Sequence, residues 1–352
     1  MQIINHRGAL ERTVSAIERG RLTVGFIGGS ITAFVDYRSW TEPVLNWLVS
    51  SYPSLRVISE NAGIEGTGSD LACFRAERDI ISRNCDIVFV EFAVNDVKEP
   101  REKRERSREG LIRKLLKAGI DVVIVYTYSG VMLEDMLADK VPELISDFEK
   151  LAVHYNIGSV WMGKYALNEV KRGMLRWEEW LPDGIHPRER GSLCYAQPVI
   201  QYLCKELQRK EQKSLIPEPY NKKNWENASV LSFDEVEFHG PWRIRRSTSN
   251  TFMDQIIDTS AIGSKLSFSF YGTGVYIGLD YGSLSAAFRW RIDGGEWSEV
   301  THPLPTWVGQ TGWFHLAQLA YDLESGKHDV EIESVLADCE GSRFNLALIG
   351  VI

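Results

Sequence analysis

Leu22-Thr23-Val24-Gly25-Phe26-Ile27-Gly28-Gly29-Ser30 is an apolar run that ends in two glycines and a serine. Such a run, short and bounded by glycine, reads as a buried strand with a hydroxyl at its carboxyl end. Runs of the same kind recur at residues 55–59, 87–92 and 122–126, with a weaker one at 159–162. Amphipathic stretches lie between them, at about residues 40–51, 70–84, 103–118 and 133–155. Ser39 followed by Glu42 has the spacing of a capping box opening the first of these. A further stretch at 9–18 precedes the first strand, and one at 188–210 follows the last. Near-continuous apolar strands separated by helices predict a parallel sheet covered on both faces, a doubly wound α/β domain.

The pattern changes after residue 209. A polar, proline-bearing stretch with no period follows, and the expected division is an α/β domain over 1–212, a linker over 213–227 and a second domain over 228–352. In that second domain the period is two: Leu266, Phe268 and Phe270 alternate with serines, and Val330 and Ile332 alternate with charges. Glycine-rich turns at 271–274, 293–295 and 325–327 separate the runs. Short alternating strands with such turns predict an all-β antiparallel sandwich of jelly-roll type.

Composition narrows the function. With 40 basic and 48 acidic residues the net charge is −8, which argues against a nucleic-acid partner. The basic stretch at 101–108 is interleaved with Glu102 and Glu105 and reads as a solvated helix face. No apolar run reaches the roughly 18 residues of a membrane helix, so no membrane partner is expected. The N-terminal residues lack the apolar core of an export signal, and the odd count of five cysteines fits reduced, mostly buried thiols. The expected location is cytoplasmic. Homo-oligomerisation is left open.

In an open α/β sheet, ligands bind beyond the carboxyl ends of the strands. Three features fall there: Ser30 after the first strand, Asn61-Ala62-Gly63-Ile64-Glu65-Gly66 after the second, and Val94-Asn95-Asp96 after the third. Acyl transfer needs such a set, because preorganised donors must meet the oxyanion of the tetrahedral intermediate. The N–H groups of Ser30 and Gly66 and the amide of Asn95 would make three donors, with Gly63 as a competing choice for the second. Asp183-Gly184-Ile185-His186-Pro187 then offers a base and a carboxylate to orient it, in a turn before the last helix where Pro187 suits the first helical position.

These four blocks, in this order, resemble the SGNH (GDSL-like) hydrolases, and the resemblance spans about residues 20–210. It implies Ser30, His186 and Asp183 as a catalytic triad, Ser30, Gly66 and Asn95 as the oxyanion hole, and no cofactor or metal. The Asp usual before the serine is Gly29 here, and the Gly usual two before the asparagine is Ala93. Because the second domain resembles the β-sandwich modules of carbohydrate esterases, the implied reaction is removal of short acyl groups, most of all acetyl, from an oligosaccharide. Asp36, Tyr37, Arg38, Trp177, Trp180, Trp307 and Trp313 are candidates to line the substrate site. The alternatives are an esterase or thioesterase on lipid-like acyl chains and a non-catalytic carbohydrate-binding protein. The remaining histidines, His6, His154, His239, His302, His315 and His328, match no block and are expected to be structural or at the surface.

Overall fold

The apolar run at residues 22–27 forms β2 (Arg21–Gly28), buried from Leu22 onward. It is the last strand but one of its sheet in a computed structural model that describes residues 1–209, 215–299, 303–335 and 341–352. The chain divides into two compact units, Met1–Glu226 and Asn227–Ile352. In the first, β1 (Ile4–Asn5), β2, β3 (Arg56–Gly63), β4 (Ile87–Glu91), β5 (Asp121–Val125) and β6 (Gly158–Val160) order themselves β1-β6-β5-β4-β2-β3. The strands β2 to β6 pair in parallel, and β1 adds an antiparallel edge on β6. From β2 the chain moves outward to β3, then crosses back to β4 on the other side of β2. That reversal opens a crevice at the carboxyl ends of β2 and β4, the usual ligand site of a doubly wound sheet.

The helices are α1 (Glu11–Glu18), α2 (Ser30–Ala33), α3 (Thr41–Ser51), α4 (Ser69–Ala76), α5 (Arg101–Lys117), α6 (Leu133–Leu137), α7 (Glu143–His154), α8 (Met162–Lys171), α9 (Trp177–Trp180) and α10 (Glu189–Glu206). Ser39 Oγ accepts the Glu42 N–H at 3.2 Å, but the Ser39 N–H goes to the Asp36 carbonyl, so the expected capping box is only half formed ahead of α3. The stretch expected as one helix over 133–155 is two, because Pro142 lacks the N–H that would continue the ladder. Four elements were not foreseen: β1, of two residues, the single-turn helices α2 and α9, and α8.

The basic stretch at 101–108 is the clearest correction. Arg104, Arg106 and Arg108 of α5 are buried rather than solvated, and each meets a carboxylate. Arg104 pairs with Glu143 at 2.5 Å, Arg106 with Glu102, and Arg108 with Asp96 at 2.6 Å. Most of the partner acids lie on other segments, so the local charge pattern could not reveal them. The described residues 215–226 of the expected linker run along this helix. Arg113 donates to the Pro217 carbonyl at 2.9 Å, the Tyr220 and Asn221 N–H groups reach Glu109 at 2.6 and 2.8 Å, and the Trp225 N–H reaches the Arg106 carbonyl.

The second unit is an antiparallel sandwich. Its strands are β7 (Ser229–Val230), β8 (Glu237–His239), β9 (Arg243–Arg246), β10 (Gln255–Thr259), β11 (Lys265–Gly272), β12 (Val275–Tyr281), β13 (Phe288–Ile292), β14 (Ser298–Glu299), β15 (Trp313–Ala320), β16 (Gly326–Ser334) and β17 (Phe344–Val351). One sheet runs β15-β12-β17-β10-β9 with β7 also on β17, and the other runs β14-β13-β16-β11-β8. The pairs β10/β17, β11/β16, β12/β15 and β13/β14 are nested like one long hairpin. Rolling that hairpin splits alternate pairs between two sheets, which is a jelly roll. Leu266, Phe268, Phe270, Ile277, Val330, Ile332 and Phe344 fill the space between the sheets.

Among the described residues, no helix is long and apolar enough to cross a membrane. Cys73, Cys85, Cys194 and Cys204 carry free thiols, the first two buried and Cys204 exposed, so the expectation of mostly buried thiols holds for only half of them. Residues 210–214, His302 and Cys339 lie outside the described residues.

Candidate active site

Ser30 is the first residue of α2, immediately beyond β2. Its Oγ lies 2.8 Å from His186 Nε2, and His186 Nδ1 lies 2.8 Å from Asp183 Oδ2. A carboxylate can only accept, so Asp183 keeps the imidazole proton on Nδ1 and leaves Nε2 to accept from the serine. The loop that carries both residues is folded by the acid itself: Asp183 Oδ1 accepts the Ile185 N–H at 2.9 Å and the His186 N–H at 2.7 Å. Partial burial opposes ionisation, but these two N–H groups and the imidazole outweigh it and hold Asp183 below the usual carboxylate range. The Arg188 N–H fastens the loop to the Trp180 carbonyl at 3.1 Å. Pro187 sits before the cap of α10 rather than at its first position, because that helix opens at Glu189. On its other side the His186 ring meets Phe34 edge to face at 5.7 Å, and the Arg38 guanidinium stacks 3.8 Å over Phe34.

Asn95 stands beside Ser30. A Cβ at Gly29 would overlap the Asn95 amide, so the aspartate usual at that position would displace that amide here. Gly29 is the residue that lets the amide approach the nucleophile turn. The Asn95 Oδ1 is buried without a hydrogen-bond partner. Ala93 is fully buried. The two glycines that follow Asn61 differ in their setting. The Gly63 N–H is taken by Asn61 Oδ1 at 3.0 Å, and Asn61 Nδ2 donates to the Thr32 carbonyl at 2.8 Å. Gly66 instead lies exposed in the turn with φ of +68°, a left-handed conformation that favours glycine.

Asp96 ties the two turns together. Fully buried, it accepts the Ser69 N–H at 2.9 Å, just past the Gly66 turn, and the Arg108 Nε at 2.6 Å. Arg108 in turn lies 4.6 Å over the Phe148 ring. A second buried acid, Glu91, ends β4 beneath the serine and was hidden in what reads as an apolar run. The only sequence signal for it is one charge among Ile87, Val88, Phe89 and Val90.

The remaining candidates scatter. Asp36 is exposed and pairs with Arg38 at 2.7 Å, on the same loop as Phe34. Trp180 is fully buried against Tyr128 and Tyr195, so it packs the protein and offers no face to a substrate. Trp177 keeps a partly exposed face and meets Tyr128 and Trp180 edge to face. In the second unit Trp307 is 56% exposed and meets Trp313, which lies 4.3 Å from His315 between ring centroids. Of the other histidines, His6 contacts Glu206 at 2.5 Å, His154 the Glu218 carbonyl at 2.8 Å, and His328 Asp293 at 2.7 Å.

Comparison with protein-family models and with curated protein sequences gives no match. Solved structures do match. A two-domain esterase (CEX) active on acetylated mannans superposes with a TM-score of 0.84 at 23% identity, over 99% of this chain and 96% of that one. The same esterase co-crystallised with mannopentaose gives 0.83 at 23% identity over the same shares. A catalytic mutant of Axe2, an acetylxylan esterase from Geobacillus stearothermophilus, is 20% identical and covers 54% of this chain and 97% of its own, with a TM-score of 0.46. Along nearly its whole length, the chain has the fold of a two-domain esterase.

Proposed function

We propose that the protein is a serine esterase that removes short acyl groups, acetyl foremost, from a carbohydrate. The observation that carries this reading is the string Ser30–His186–Asp183, with 2.8 Å at each link, at the switch point of the sheet. In the proposed reaction His186 Nε2 takes the Ser30 proton as Oγ attacks the ester carbonyl. The oxyanion is met by the Ser30 N–H, the Gly66 N–H and the Asn95 amide; one such donor is worth roughly 3–4 kcal/mol of barrier. The bond from the Gly63 N–H to Asn61 Oδ1 supports Gly66 as the second donor. His186 then gives its proton to the departing sugar oxygen as its bond to the acyl carbon breaks, and water, deprotonated by His186, attacks the acyl-serine and releases the acid and Ser30.

The carbohydrate half of the reading draws on the esterase active on acetylated mannans, with which this chain shares its two-domain fold. The exposed ring of Trp307 and its neighbours on the sandwich offer an apolar face of the kind that stacks on sugar rings. The test is acetate release from acetylated mannooligosaccharides by the full chain and by its Ser30→Ala variant. Release by the native protein and none by the variant is the expected result. Release that survives the substitution overturns the triad, and a preference for long-chain nitrophenyl esters overturns the deacetylase reading.

A further inference from the structure

Glu91 is the buried acid that the proposed reaction does not use. No part of its side chain reaches solvent, and no ion pair joins it to any described residue. Its oxygens instead take Thr127 Oγ1 at 2.6 Å, Thr32 Oγ1 at 3.2 Å and the Gly29 N–H. Burial pushes its carboxyl upward, against the pull of those three donors.

Burying a carboxyl without a countercharge is costly, and an apolar residue there would pack without that cost. The rest of β4, Ile87-Val88-Phe89-Val90, uses such residues. What the acid gains is control of the turn around Ser30. Gly29 precedes the serine and Thr32 follows it by two, so Glu91 grips the turn from both sides. Thr127, beyond the end of β5, fixes Glu91 in its turn, and the Trp40 indole donates to Thr32 Oγ1 at 3.4 Å. A shift of Gly29 would also move Asn95, whose amide lies against it.

We infer that Glu91 is a positioning residue for the nucleophile: it holds the Gly29–Thr32 turn so that the Ser30 Oγ meets His186 and the Ser30 N–H faces the oxyanion. The inference rests on Ser30 being the nucleophile. It is tested in the full chain with Glu91→Gln, which keeps the shape but sets an N–H against one of the three donors, and with Glu91→Ala, which removes the grip. Hydrolysis of p-nitrophenyl acetate, labelling by a fluorophosphonate and thermal unfolding are measured together. A misplacement near 1 Å at a reacting atom costs about a hundredfold. The expected result is a kcat lower by about that factor in Glu91→Ala and by about tenfold in Glu91→Gln, with KM little changed and labelling slowed in parallel.

A purely structural acid would lower the unfolding temperature and leave kcat and labelling at native values in the folded variants; that result overturns the inference. If Glu91→Ala does not fold, Glu91→Gln decides alone. Ser30→Ala separates the two levels. Activity that survives it removes the nucleophile reading and this inference together, whereas a dead Ser30→Ala beside fully active Glu91 variants removes only the inference.

Discussion

Two buried carboxyls, one in each unit, are treated in opposite ways. Asp258 in the sandwich has no exposed side-chain surface and is met by Arg243 at 2.6 Å, Arg343 at 3.3 Å and Arg245 at 3.4 Å. Its burial opposes ionisation, yet the arginines win and hold it below the usual range. Glu91 in the α/β unit is as deeply buried but has only hydroxyls and one N–H around it, and its carboxyl is pushed up. The sandwich repeats its solution in Arg289–Glu333 and Arg291–Glu331. The crevice between β2 and β4 leaves a carboxyl without a countercharge and an amide oxygen without a partner.

The largest expected effect is at His186, the proposed base. His186→Ala should lower kcat by about 10³–10⁴ or more, with folding retained, as measured on p-nitrophenyl acetate. Next in size is Asn95→Ala, expected to cost about 10²–10³ in kcat with KM little changed. A loss confined to KM would remove Asn95 from the oxyanion hole.

Asp258→Asn should act on stability instead. Losing the charge among three arginines should destabilise the sandwich by about 1–3 kcal/mol, read from denaturant unfolding, while kcat stays in place. The pH trends sharpen the contrast. Asp258 has a lowered folded pKa, so its contribution is present above about pH 4 and is lost as the pH falls through the folded value. Glu91 has a raised folded pKa, so its burden on the α/β unit appears as the pH rises above about 4.5. The Asp258→Asn variant should therefore lose part of the native protein's acid-side slope in unfolding temperature, and Glu91→Gln part of the slope on the other side. The smallest effect belongs to Trp307. Removing one stacking ring costs about 0.5–1.5 kcal/mol, so Trp307→Ala should lower kcat/KM on an acetylated oligosaccharide several-fold more than on p-nitrophenyl acetate.

Much of the fold and of the site was legible in the sequence because the features are local. Apolar runs leading into Gly28-Gly29-Ser30 and into Asn95 mark the strands and the turns beyond them, and Asp183-x-x-His186 closes a single turn. The jelly roll was legible because its alternation survives in strands such as β11 and β16. The illegible features depend on partners distant in sequence. The arginines of α5 look solvated until Asp96, Glu143 and Asp147 arrive from other segments. Trp180 looks available until Tyr128 and Tyr195 close around it. Strand β1 has only two residues, too few to carry a period, and it is held by pairing with β6. Glu91 is one letter in an apolar strand, and only the approach of Gly29, Thr32 and Thr127 gives it meaning.

The proposed mechanism requires Ser30 to be acylated during turnover. Labelling the full chain with a fluorophosphonate, followed by digestion and mass mapping, addresses it directly. A single stoichiometric adduct is expected on the peptide that contains Gly28-Gly29-Ser30, absent after Ser30→Ala and slowed after His186→Ala. An adduct on any other residue, or undiminished labelling after Ser30→Ala, would contradict it.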